Sequence, residues 1–272
     1  MAIKNWIQTF QTFTGRLVDV VNPTPEMVDI EDIAHALSMT CRFSGHCRDF
    51  YSVAEHSVLV EQMGTWLMER DLRDDSQHSR RDEVQHSLCL LLHDAAEAYV
   101  GDVITPVKRA LDFTDERRVF FHKLATFFAD KTFEARNPMV TSLLEEIIPC
   151  SLKKIEHRWL TAIEQKFGLG NQTAIAQKFG LGNQLTSPTK IMQWADSHAL
   201  AVEVVALFHP VRAEWWGDRE SPDPNGGWIV NCWSPAEARR RFLDRFRVLY
   251  YEFHDHSKIE WEETVFREEN SK

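Results

Sequence analysis

The residues best suited to chemistry form one short run: the doublet His93-Asp94, Glu97 three residues later, and then Gly101-Asp102. An apolar stretch, Leu88-Cys89-Leu90-Leu91-Leu92, precedes them, so the doublet is expected near the C-terminal end of a helix that enters the core. Burying an imidazole with two carboxylates is costly unless a cation compensates for the lost hydration. On a helix Asp94 and Glu97 stand at i and i+3 and His93 and Glu97 at i and i+4, so all three can face one cavity. Two further ligands are available on other helices: His56 within Val53-Ala54-Glu55-His56-Ser57, and Asp196 within Trp194-Ala195-Asp196-Ser197-His198. Imidazole mixed with carboxylate suits one divalent ion, with Mn, Co, Mg, Zn and Fe all open, and leaves positions for water and a phosphate oxygen. A second doublet, His254-Asp255, sits in a terminal segment with no acidic residue three positions after the aspartate, and is read as chance adjacency.

Helices must hold these groups. Asp29 is an N-cap candidate before Ile30, Ile33, Ala34 and Leu37, which share a stripe. Ser52-Val53-Ala54-Glu55 has the capping-box pattern, which predicts a helix from about Val53 with His56 in its first turns. The polar stretch Asp71 to Asp82 reads as a solvated loop, with helix resuming near Glu83. Further helices are expected over about 115–132, 139–148 and 151–167, and from Ser187-Pro188 to Phe208 with Asp196 midway. A tandem repeat, TAIEQKFGLGNQ from Thr161 and TAIAQKFGLGNQ from Thr173, reads as a lengthened connection over 161–187, with a small binding hairpin as the alternative. Residues His209 to Cys232 are rich in Trp, Gly and Pro and should be irregular, with a hairpin candidate at Asn225-Gly226. Trp215, Trp216, Trp228 and Trp233 are read as packing, with base stacking as the alternative. Ser234-Pro235-Ala236-Glu237 then opens a helix to about Phe253, and Trp261 to Lys272 should fray. The expected fold is all-α: one domain over 1–208 with its core at about 29–208, and a C-terminal extension over 209–272 packed on it.

The composition narrows the partners. The 272 residues carry a formal charge of −10, which argues against a broad footprint on nucleic acid while leaving room for a small anionic ligand in a local basic pocket. No apolar run approaches the roughly 18 residues needed to cross a bilayer, and the first ten residues lack a secretory pattern, so a cytoplasmic protein is expected. Five cysteines, Cys41, Cys47, Cys89, Cys150 and Cys232, form no C-x-x-C pair and suit reduced thiols. Apolar helix faces leave a homo-oligomer open.

The segments CRFSGHCRDFYSVAEHS (Cys41 to Ser57), LLHDAAEAYVGDVITPVK (Leu91 to Lys108) and WADSHALAVE (Trp194 to Glu203) resemble the HD-domain phosphohydrolase superfamily. Its members are all-helical metal-dependent enzymes with ligands in the order His, His-Asp, distant Asp. The likeness is closest to the 5′-deoxynucleotidase branch and to related deoxynucleotide phosphohydrolases of bacteria and phages; a phage-encoded chain would work in the host cytoplasm. The resemblance implies that His56, His93, Asp94 and Asp196 bind the metal and that Glu97 acts on the nucleophilic water. It implies that Arg42 binds phosphate, that Phe43 packs on the deoxyribose, that Asp102 reaches the sugar or leaving oxygen, and that Lys108 lies on the phosphate side. His46 belongs to the same basic segment as Arg42, for which a solvated turn is the alternative. Gln193 stands where relatives commonly carry a lysine three residues before the last aspartate, and Lys190, one turn earlier, is its nearest substitute. The implied activity is hydrolysis of a deoxynucleoside 5′-monophosphate to deoxynucleoside and phosphate. The alternatives are a dNTP triphosphohydrolase releasing tripolyphosphate, and a nucleotide-binding module without turnover.

Overall fold

The computed structural model describes residues 8–71, 79–112, 152–170, 188–208, 211 and 227–254. The described part is all-α apart from one small ribbon, in which strand β1 (Thr9–Gln11) pairs antiparallel with β2 (Leu17–Asp19), Phe10 opposite Val18. The first helix, α1 (Ile30–Met39), begins where Asp29 accepts the Glu31 amide at 2.9 Å, and it buries Ile33, Ala34 and Leu37 as the stripe predicts. A short 3-10 turn, Arg42–Gly45, follows, and Cys41 and Ser52 then pair in an isolated antiparallel bridge. That bridge delivers the chain to helix α2 (Val53–Asp71), which starts with the Ser52 hydroxyl accepting the Glu55 amide at 3.1 Å.

Helix α3 (Arg80–Leu91) starts three residues earlier than the polarity of its neighbours suggests. Ser79 and Asp82 form a complete capping box that satisfies the first-turn amides. Three short or medium helices come next: α4 (Glu97–Val100), α5 (Thr105–Asp112) and α6 (Leu152–Lys166). The fully buried Trp159 of α6 stacks on Tyr99 with ring centroids 3.7 Å apart and donates its indole N–H to the Val20 carbonyl at 3.0 Å. The first copy of the repeat, as far as Gly170, therefore continues α6 and its final turn and adds to the core: Ala162, Ile163, Phe167 and Leu169 are all buried.

Helix α7 (Pro188–Leu207) packs on α2 through Ile191, Ala195 and Ala199 against Leu59, Val60, Met63 and Leu67. The two alanines let the backbones approach closely. Helix α8 (Pro235–His254) lies on α1, α2 and α3 and sends Phe242, Phe246, Leu249 and Phe253 into the main core. At its flank Arg245 grips the fully buried Glu61 of α2 through two bonds, of 2.8 and 2.6 Å. Neither predicted capping box at Ser52 nor at Ser234 is complete, because each glutamate is engaged elsewhere: Glu237 pairs with Arg240 and Arg241. Glu55 reaches across to the backbone of 231–233, accepting the amides of Asn231 at 2.8 Å, Cys232 at 3.1 Å and Trp233 at 2.7 Å.

No helix among the described residues is long and apolar enough to cross a membrane. Cys41, Cys47, Cys89 and Cys232 are in no disulfide, with the Cys41 and Cys47 sulfurs 3.6 Å apart. The expected helices at 115–132 and 139–148, the second repeat copy, Trp215, Trp216, the Asn225-Gly226 hairpin, Cys150 and the segment from Trp261 lie outside the described residues.

Candidate metal centre

Three elements converge on one spot. His56 sits one turn into α2 and is fully buried. His93 and Asp94 are not on α3, which ends at Leu91, but in the tight turn that links it to α4. That turn is held by i-to-i+3 bonds: His93 N–H to Leu90 O at 3.4 Å, Ala95 N–H to Leu92 O at 3.0 Å, and Glu97 N–H to Asp94 O at 2.9 Å. Such a turn eclipses residues three apart, so Asp94 and Glu97 still share one side, though for a different reason than an α-helical face. Asp196 comes from the middle of α7.

One nitrogen or oxygen of each of His56, His93 and Asp94 lies within 4.8 Å of the others. Asp94 Oδ2 is 3.2 Å from His93 Nε2 and 3.6 Å from His56 Nε2, and Asp196 Oδ1 is 3.3 Å from His56 Nε2. Two ligand atoms each about 2.1 Å from one ion and about 90–110° apart would be separated by about 3.0–3.4 Å, so His56, His93 and Asp94 stand close to the spacing of a coordination shell, while Asp196 approaches the group on the His56 side without lying within 4.8 Å of every member. The donor orientation agrees. His93 Nδ1 is held by the Leu90 carbonyl at 2.8 Å and His56 Nδ1 by Glu203 Oε1 at 2.6 Å, while both Nε2 atoms are buried without a hydrogen-bond partner. Orphaned buried nitrogens are expensive unless something binds them, and a partner on the opposite ring nitrogen is the usual support of a metal-binding imidazole.

Glu203 has no counterpart among the residues expected from sequence. It stands on α7 seven residues after Asp196, two turns on and on the same face, with no exposure to solvent. Its carboxylate takes three donors: His56 Nδ1, the Tyr51 hydroxyl at 3.0 Å and Arg42 Nε at 3.1 Å. Burial opposes its charge, but Arg42 and His56 outweigh it and hold the carboxyl below the ordinary 4.5. Around His56 stand three carboxylates, Asp94, Asp196 and Glu203, of which Arg42 answers Asp94 and Glu203. Burial and Arg42 both disfavour a charged His56, yet Glu203 and Asp196 push its pKa up to about 9, which expresses the pull of this cluster on positive charge. Asp94 is well below the usual carboxylate range: burial opposes its charge, and His93, His56 and Arg42 overcome that.

Glu97, at the start of α4, is buried with its Oε2 unpaired, and its Oε1 receives Lys108 Nζ at 3.1 Å. Burial first, then the charges of Asp94 and Asp102, push its pKa up to about 8 against the opposing Lys108. Burial, helped by Asp94, likewise raises Asp102, while Arg42, Lys108 and His56 pull the other way. Lys108 divides itself between Glu97 and Glu156 of α6, the latter at 3.0 Å.

The remaining expected contacts are less uniform. Arg42 does reach the cluster, with Nη1 3.7 Å from Asp94 Oδ2, but it spends Nε on Glu203. Phe43 holds a left-handed backbone, φ 57°, and packs edge-on to Phe208 with centroids 5.0 Å apart. His46 is exposed, closing the 3-10 turn through its amide to Phe43 O, which fits the solvated-turn alternative. Lys190 lies six residues before Asp196, about 240° round the helix from it, and Gln193, on Asp196's side, is exposed.

No family model matches the chain. It is 44% identical over 100 residues to an uncharacterised protein of Rhodobacter capsulatus, covering 36% of this chain and 45% of that protein. It is 36% identical over 101 residues to the uncharacterised protein YfdR of Escherichia coli K12, covering 37% of this chain and 47% of that protein. The chain thus spans just under half the length of each of these relatives.

Proposed function

We propose that the chain is a metal-dependent phosphohydrolase of the HD-domain type, acting on deoxynucleoside 5′-monophosphates. One observation carries the reading: two buried imidazoles from different elements turn unpaired Nε2 atoms to the same carboxylate, with Asp196 and Glu97 alongside. His56, His93, Asp94 and Asp196 would hold one divalent cation. Bound there, such an ion polarises a phosphoryl oxygen and makes water more acidic.

The protein groups supply the rest. Glu97, with a pKa pushed to about 8 and one free buried oxygen, is poised to take a proton from attacking water near neutral pH. Lys108 on its other oxygen fixes the carboxylate's direction. Arg42 presents its Nη1 end on the Asp94 side, where it can meet charge on a phosphoryl oxygen. Among the described residues, Arg42 and Lys108 are the basic groups paired with the cluster's carboxylates, and both are already shared, which supports a monophosphate over a triphosphate.

The test is product analysis with a panel of dNMPs and dNTPs and Mn²⁺, Co²⁺ or Mg²⁺, alongside Asp94→Ala. Inorganic phosphate from dNMPs, lost in the variant, supports the reading; tripolyphosphate from dNTPs replaces it with triphosphohydrolysis. A metal-loaded protein that hydrolyses none of them is a binding module.

A further inference from the structure

We propose that Glu203 is a positioning residue that serves both halves of the site with one carboxylate. Its Oε1 fixes His56 with Nε2 turned to the cation, and its Oε2 fixes Arg42 with Nη1 turned to the substrate's phosphate. The inference deepens the hydrolase reading and rests on it for the phosphate half.

The geometry is specific. A carboxylate with no solvent contact is costly unless hydrogen bonds compensate it, and Glu203 accepts from three donors outside α7. All three come from one neighbouring segment: Arg42 in the 3-10 turn, Tyr51 just before α2, and His56 in its first turn. Helix α7 therefore grips both sides of one imidazole ring, Asp196 at Nε2 and Glu203 at Nδ1, two helical turns apart. With Nδ1–H donated to Glu203 at 2.6 Å, the lone pair of Nε2 points at Asp94 and Asp196. The Arg42 contact adds what simple support of a ligand does not require. The guanidinium is tethered at Nε to the same carboxylate, and this leaves its outer end 3.7 Å from Asp94, on the cation's side. Metal affinity and phosphate affinity should then fall together when Glu203 is changed, though Glu203 itself touches neither ligand.

The experiment uses the full chain, wild type and Glu203→Gln, with Mn²⁺ and inorganic phosphate as probes. Free Mn²⁺ is followed by its electron paramagnetic resonance signal, and phosphate binding is measured at Mn²⁺ levels that saturate each protein. Glu203→Gln is expected to raise the Mn²⁺ Kd by about 10–100-fold and to weaken phosphate as well. A merely structural role would lower the melting temperature and leave both affinities of the folded protein in place, and that result overturns the proposal. Long-range proton–nitrogen correlation spectra of the Zn²⁺-loaded wild type give a readout that needs no variant. His56 should carry its proton on Nδ1, and a proton on Nε2 sinks the proposal even where Glu203→Gln does not fold. None of these measurements reads turnover. A wild type that binds Mn²⁺ but hydrolyses nothing defeats the hydrolase and leaves the Mn²⁺ half of this inference standing. A wild type that hydrolyses dNMPs while Glu203→Gln keeps full Mn²⁺ affinity defeats this inference alone.

Discussion

Glu55 should be one of the most sensitive positions outside the candidate metal centre, and its cost can be worked from its bonds. Its buried carboxylate accepts three backbone amides from 231–233, two at Oε1 and one at Oε2. Glu55→Gln preserves shape and can keep the Oε1 pair, but turns an NH₂ group toward the Trp233 amide, so one buried donor loses its acceptor. An orphaned buried donor costs about 1–3 kcal/mol, and two charge-assisted bonds become neutral ones at roughly half the strength. Part of this is offset because burial raises the Glu55 pKa above 4.5, meaning that its charge is itself held at a cost. The net expectation is about 2 kcal/mol of destabilisation at neutral pH, or a fall in Tm of about 4–8 °C for a chain of this size. Glu55→Ala abandons all three amides and should cost more than Gln. Urea denaturation followed by circular dichroism measures both. The sign of the pH dependence is a second check. A carboxyl whose folded pKa is raised loses stability as pH climbs from 4.5 through the folded value, and Glu55→Gln should abolish that part of the slope. If Gln and Ala both stay within about 0.5 kcal/mol of wild type, the clamp on 231–233 contributes nothing and the reasoning fails.

A Cβ added at Gly64 would overlap Leu90 Cδ1 and meet Cδ2 at 3.0 Å, so Gly64→Ala should cost about 1–3 kcal/mol and push the end of α3 from α2. Since the turn that carries His93 starts directly from that end, calorimetry should show weaker Mn²⁺ binding as well as a lower Tm. Mn²⁺ at a hundred times its Kd should stabilise the wild type by about 2.7 kcal/mol, read as a rise in Tm, and His93→Ala should abolish most of that rise while leaving the metal-free Tm near wild type. Glu97 must be ionised to act as a base, so the rate should climb with pH through a value at or below its cation-free pKa of about 8, because a bound cation favours the anion. Glu97→Gln should remove that limb and cost about 10²–10⁴ in kcat, as a pH–rate profile will show.

The parts legible in the sequence are those set by local rules. Asp29 caps α1, the stripe Ile33, Ala34 and Leu37 is buried, and α2 begins behind Ser52, all from signals within one or two turns. The end of α3 was not legible, because Leu92 to Ala96 holds neither glycine nor proline and reads as helix; the turn is made by tertiary packing that no local preference announces. Glu55 departs from its local pattern for a related reason. Its type and spacing are those of a capping box, but a partner 176 residues away competes for the same carboxylate. Glu203 did leave a signal, since an acidic residue seven positions after Asp196 on an otherwise apolar helix face should not be buried without a task.

The bonds that join these elements explain why the C-terminal segment bears on a site whose proposed ligands all lie before residue 200. His56 is flanked on α2 by Glu55, which holds the stretch of backbone leading into α8, and six residues after Glu55 the carboxylate of Glu61 is held by Arg245 from α8 itself. On the opposite side Glu203 of α7 holds the His56 ring. The helix that presents the first histidine is thus fixed by buried polar bonds from both later helices, and each bond is directional where the surrounding apolar contacts are not. Hydrophobic packing of Val58, Leu59 and Met63 could tolerate a small rotation of α2 about its axis. The carboxylate contacts could not, because a shift of about 1 Å would take bonds of 2.6 to 3.1 Å beyond hydrogen-bonding distance. The same constraint aims His56 Nε2 at Asp94, so damage to the α8 anchor should appear first as lost metal affinity and only then as lost fold.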